Sequence, residues 1–91
     1  MKEQKELIKK VKTFLDNRKI YYNNDSLEYI GVRENYEIEE GTPQNYHFIS
    51  YEVIIDKTNK YSTKTYFIYI NKENFKISYI IGPQSFEKVE E

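Results

Sequence analysis

Leu7, Ile8, Val11, Phe14 and Leu15 recur at three- and four-residue spacing, which lines them up as one apolar stripe on a helix. Lys and Glu fill the remaining positions. Glu3 and Glu6 suit the positive end of the helix dipole, and Arg18 and Lys19 suit the negative end. The spacing predicts a helix over about 3–18. The turn formers NNDS follow at 23–26.

From residue 27 the period of the pattern changes to two. In YIGVRENYEI, Ile30, Val32, Tyr36 and Ile38 share one side, and Tyr29, Arg33, Asn35 and Glu37 share the other. Glu34 interrupts the apolar side, which implies a bend or two short pieces. EEGTPQ at 39–44 reads as a loop. In NYHFISYEVIID, Ile49, Tyr51, Val53 and Ile55 alternate cleanly. KTNK at 57–60 reads as a hairpin connection, 61–72 as the next strand and 75–81 as the last, which GP at 82–83 stops. SFEKVEE is a charged tail over 84–91, with Phe86 and Val89 as anchors.

The expectation is therefore α+β: one N-terminal helix packed on a curved four-stranded antiparallel sheet over about 27–82. Residues 1–91 form a single domain, because a chain of this length supports one core. A short loop within NKEN sets even positions of the third strand beside odd positions of the fourth. Tyr66, Ile68 and Ile70 then join Ile77, Tyr79 and Ile81, next to Ile49, Tyr51, Val53 and Ile55, under the helix. The opposite face carries Tyr46, Phe48, Phe67, Tyr69 and Ile80, extended by Ile54, Thr63 and Thr65. One helix covers one face. The aromatic face therefore calls for a cover, which is a second copy, another protein or the returning C-terminal tail.

Composition sharpens this picture. Ten Tyr and five Phe supply the bulk that a modest hydrophobic share of 38% would otherwise lack. Charge is uneven: residues 1–19 carry seven Lys or Arg against three acids, and 20–56 carry one Arg against eight acids. The basic start reads as a solvated helix face complementing an acidic neighbour. The absence of cysteine excludes disulfides and thiolate metal sites. No apolar stretch near the start has the length of a signal peptide or membrane span, so the expected setting is cytoplasmic, with export after signal removal as the alternative.

Chemistry-bearing motifs are sparse. His47 is the single histidine, expected as a satisfied residue near a strand edge. Gly31, Gly41 and Gly82 are isolated and form no phosphate-cradling loop. There is no GxSxG elbow. Glu34, Glu37, Glu39 and Glu40 read as a solvated acidic edge. Basic residues gather on the helix and away from the aromatic face, which argues against nucleic acid. No enzyme activity, metal or cofactor is expected.

The helix followed by the long meander YEVIIDKTNKYSTKTYFIYINKENFKISYI resembles the cystatin-like and nuclear-transport-factor-2-like group of α+β domains. The QxVxG hairpin and the tryptophan loop of cystatin inhibitors do not occur, so protease inhibition is not implied. YINKENFKISYI is also similar to the closing hairpin of small bacterial PepSY-like inhibitory domains and immunity proteins. The combined expectation is a non-enzymatic protein-interaction module, of inhibitor or immunity type. It would bind a protein partner or a second copy through Phe48, Phe67, Tyr69, Ile80 and Tyr46. Two other readings stand beside it. One is a small-ligand domain with a pocket between helix and sheet, with His47 and Tyr51 near its mouth. The other is a structural subunit of a surface or secretion assembly.

Overall fold

A computed structural model describes residues 2–56 and 58–90. Helix α1 spans Lys2–Asn17. A single 3-10 turn, Asn24–Ser26, follows, with the Asn23 side chain accepting a hydrogen bond from the Asp25 amide at its start. Five strands complete the chain: β1 Glu28–Tyr36, β2 Gln44–Asp56, β3 Asn59–Asn71, β4 Ile77–Ile81 and β5 Phe86–Lys88. They form one antiparallel meander in sequence order. Class and helix match the expectation, and the sheet has five strands in place of four. The extra strand lies in the tail, where Phe86, Glu87 and Lys88 pair with Ile81, Ile80 and Tyr79. Part of the KTNK connection, Lys57, lies outside the described residues; the flanking Asp56 and Asn59 pair directly.

The helix-side core forms where the helical stripe meets the even positions of β3. Leu7, Val11 and Leu15 pack with Ile49, Tyr51, Ile68, Ile70 and Ile77, and Tyr22 and Val89 close the ends. Each fully buried aliphatic side chain contributes roughly 1.5–3 kcal/mol. The half-exposed Arg18–Glu87 pair, at 2.7 Å, joins the helix end to β5 but contributes at most about 1 kcal/mol. Burial therefore fixes the helix on the sheet, and the ion pair trims its orientation. Residues 20–26 run beside the far half of β2. The Asn23 amide donates to the Glu52 carbonyl, and the Ile54 amide donates to the Tyr21 carbonyl.

Three irregularities reset which side chains face which way. In β1 the register shifts between Tyr29 and Gly31 and again between Arg33 and Tyr36. Tyr29 therefore opposes Ile49 on the helix side, and Arg33 opposes Tyr46 on the outer side. This overturns the single alternation expected for YIGVRENYEI. The second shift contains Asn35 at φ 52°, a residue type that tolerates the left-handed region.

In β4, Ile77 opposes Ile70 as expected, but Tyr79 opposes Tyr69 and Ile80 opposes Ile68. Ser78 is the extra residue of a bulge. Ile80 is therefore in the helix-side core at 5% exposure, and its assignment to the outer face is corrected. Tyr79 and Ile81 move to the outer face. The physical reason is the hydroxyl: a Tyr needs a polar partner when buried, while Ile80 needs none. The bulge sends each side chain to the face that suits it.

Gly82 then ends β4 close to Tyr66. A Cβ there would lie 2.5 Å from the Tyr66 ring, so only glycine permits this approach.

The register makes a sharp distinction between neighbours. Ile80→Ala is expected to destabilise the fold by about 2–5 kcal/mol, because it opens a cavity beneath the helix. Ile81→Ala, on the half-exposed outer face, is expected to cost less than half as much. Urea midpoints of the two variants check this; equal losses would contradict the bulge.

Candidate interaction face

The outer face of the sheet is an aromatic cluster. Tyr46, Tyr69 and Tyr79 are buried at 3, 6 and 7% exposure, with Tyr36, Ile38, Phe48, Phe67 and Ile81 packed against them. Tyr46 meets Tyr69 and Tyr79 edge to face, at 5.8 and 6.1 Å between centroids. Phe48 stacks beside Tyr69 at 5.7 Å. Such offset and edge contacts add roughly 0.5–1.5 kcal/mol each beyond the area they bury.

The cover over these rings comes from the chain itself. Tyr36, at the end of β1, stacks on Tyr69 at 5.9 Å. The segment following it brings Ile38 onto the cluster and carries Glu39 across to β5, where it pairs with Lys88 at 3.4 Å. Arg33 places its guanidinium 4.9 Å from the Tyr36 ring centre and 5.3 Å from that of Phe48. Residues 36–39 are thus a strap over one half of the outer face. None of the three covers expected from the pattern is this segment: the alternation gives Tyr36 and Ile38 as strand positions, and Glu37 and Glu39 as part of a solvated acidic edge.

The titration behaviour of the phenols reports the same burial. Tyr79 is raised above the ordinary tyrosine value by burial, and further by the charge of Glu39 and a hydrogen bond to it. Tyr69 is raised by burial first, then by Tyr36. Tyr46 is raised by burial, then by Tyr79 and Glu39. On the helix side, burial pushes Tyr51 up to about 12.

The strap leaves the other half of the face open. Cross-strand pairing places Phe86, Ile81 and Phe67 in one row, beside Ser50 of β2. Phe86 is 55% exposed, while Phe67 and Ile81 are half-buried. Phe48 joins the row through Phe67 at 6.4 Å, and Phe86 leans on Tyr79 at 5.6 Å. Phe48, Phe67, Tyr69 and Tyr46 therefore lie on the face the sequence assigned them, Tyr46 and Tyr69 beneath the strap. Ile81 and Phe86 replace Ile80 in the accessible strip. Of the two expected tail anchors, Val89 is buried and Phe86 stays exposed; the pairing of the tail as a strand was not legible.

His47 occupies the helix side of β2, 3% exposed. Its Nδ1 is 2.8 Å from the Tyr29 hydroxyl and its ring stacks near Phe75. Its Nε2 lies 3.3 Å from Glu3 Oε1 but outside hydrogen-bond geometry, so it is buried without a partner. The expected satisfied edge histidine is thus satisfied at one nitrogen only. Burial, then the Glu3 charge, raises the Tyr29 phenol. It stays protonated at neutral pH and serves as a hydrogen-bond donor or acceptor with His47. Tyr51 is 2% exposed and stacks on Tyr66, so neither His47 nor Tyr51 stands at a pocket mouth. Among the described residues, no three His, Asp or Glu side chains gather as metal ligands, and no helix is long and apolar enough to cross a membrane. No family model, curated protein or solved structure matches the chain.

The raised phenols give a pH dependence with a definite sign. Below the ordinary value of 10, both folded and unfolded chains keep the phenols protonated and stability is complete. Above it the unfolded chain ionises first, so stability falls until the folded phenols also titrate, near 12 for Tyr51. Urea midpoints measured upward from pH 9 are expected to drop through this window, and Tyr51→Phe to flatten the drop. A flat profile for the wild type would contradict the burial of these rings.

Proposed function

We propose that this chain is a non-enzymatic protein-binding module whose contact surface is the open strip Phe48, Phe67, Ile81 and Phe86. The observation that carries this reading is the unequal treatment of one face. The strap seals Tyr46, Tyr69 and Tyr79, yet leaves Phe86 in water and Phe48, Phe67 and Ile81 half-buried. Aromatic anchors dominate the energetics of protein interfaces, and contiguous apolar rows are uncommon on monomers. Lys88 of β5, which pairs with Tyr79 on the same face, gives the strip a polar border of the kind typical of such contacts. The order of one helix and then a meander also supports the cystatin-like reading of the fold, and with it an inhibitor or immunity-type role.

The strip is modest in area. A standard interface takes about 800 Å² from each partner, so the partner is expected to wrap beyond the strip onto β5 and the strap. Affinity capture from the native cell with wild type, Phe86→Ser, Phe67→Ser and Phe75→Ser tests the reading. Phe75 is exposed on the β3–β4 connection, away from the strip, and serves as the control. The expected result is one discrete protein held by wild type and Phe75→Ser, and lost at least ten-fold with Phe86→Ser and Phe67→Ser. Retention by all four would overturn it.

A further inference from the structure

Among the described residues, His47 Nε2 is the buried side-chain nitrogen left without a hydrogen-bond partner. Glu3 Oε1 stands 3.3 Å away, yet the two atoms do not form a hydrogen bond. A charge-assisted N–H···O bond would be shorter, about 2.7–2.9 Å, and close to linear. An orphaned nitrogen in a protein interior is costly, and native structures rarely keep one without a use.

The separation matches a different arrangement. Two donor atoms bound to one tetrahedral metal ion at about 2.0–2.1 Å are held about 3.3–3.4 Å apart. Neither points at the other, because both lone pairs converge on the ion. Nε2 and Glu3 Oε1 have this relation: near, but off the hydrogen-bond line. The other ring nitrogen fits as well. Nδ1 lies 2.8 Å from the Tyr29 hydroxyl. When Nδ1–H donates to that oxygen, Nε2 is a bare lone pair facing a carboxylate, and a cation between them relieves the repulsion. A polar partner on the far nitrogen is what orients a metal-bound imidazole.

The surroundings supply the rest of a coordination shell. A cavity of about 220 Å³ lies beside Glu3, lined also by Glu6, Leu7, Lys10 and Phe75. Glu6 follows Glu3 by three residues on α1, so both carboxylates rise from one face of the helix. The cavity gives Glu6 room to swing inward and gives water room to enter. Lys10 opposes a cation by its charge, and the two carboxylates outweigh it. The Phe75 ring lies nearly parallel to the imidazole, at 20° and 6.0 Å, and keeps it from turning.

We infer that His47 Nε2 and Glu3 bind a divalent transition cation of the zinc class, with Glu6 or water completing a tetrahedral shell. Nitrogen and oxygen donors in this geometry suit zinc and do not suit the all-oxygen shells of calcium or magnesium. The ion ties the first turn of α1 to β2. With two protein ligands in place, the site is weaker than one closed by four.

Calorimetric titration of the whole, tag-free chain with zinc chloride tests this, together with the ring-nitrogen resonances of the single histidine. The expected result is one zinc per chain, with the Nε2 resonance shifted and the proton retained on Nδ1. Glu3→Gln is expected to weaken binding roughly ten-fold or more. Its side chain is 55% exposed, so the variant keeps the fold. Glu37→Gln, an exposed carboxylate elsewhere, is expected to leave binding unchanged. No binding at millimolar zinc would overturn the proposal. So would affinity indifferent to Glu3→Gln, or binding that leaves Nε2 unmoved, which would mean adventitious zinc on surface carboxylates only.

Discussion

The structure turns on a mismatch: the central strands are apolar on both sides, and the described residues hold one α-helix. Ile49, Ile68 and Ile70 demand burial on one side and Tyr46 and Tyr69 on the other. A second helix would solve this, but the chain solves it with a loop. Tyr36, Ile38 and Glu39 fold over the second face and are held there by ring stacking and the link to Lys88. A strap of this size shields about half a face. The row from Phe67 to Phe86, half-buried at Phe67 and Ile81 and exposed at Phe86, is what it leaves.

The division of labour between the faces follows from the residue types. The helix side is mainly aliphatic and dry, and close packing supplies most of its stabilisation. The outer side is built from tyrosines, whose rings tolerate a thin cover because their hydroxyls find Glu39, Tyr36 or solvent. That face gives up some burial and leaves Phe86 accessible to solvent. The strap is also attached by an exposed ion pair of small worth, so ring stacking, and not charge, keeps it in place.

Much of this was legible in the residues. The helix was readable from the stripe Leu7, Val11 and Leu15, and the antiparallel order from the short loops. The alternation in β2 and β3 placed Phe48, Phe67, Tyr69 and Tyr46 correctly. The alternation in β4 misled, because one bulge residue, Ser78, inverts the rest of the strand and brings Ile80 under the helix. The two shifts in β1 did the same for Tyr29 and Arg33. A bulge leaves no period of its own in a pattern this short. The strap was illegible for a different reason: its acids suggested solvent, and its role depends on Tyr36 and Ile38 meeting rings far away in the chain. The brief β5 has too few residues to announce itself by alternation.

Proton–proton nuclear Overhauser contacts between the strap and the sheet probe this arrangement most directly. The rings of Tyr36 and Tyr69 and the methyl groups of Ile38 should show cross-peaks within one tyrosine cluster that also contains Tyr46 and Tyr79. A spectrum in which Tyr36 and Ile38 contact none of these rings, while Tyr69 and Tyr79 exchange freely with a solvent-borne relaxation agent, would contradict the self-covered face.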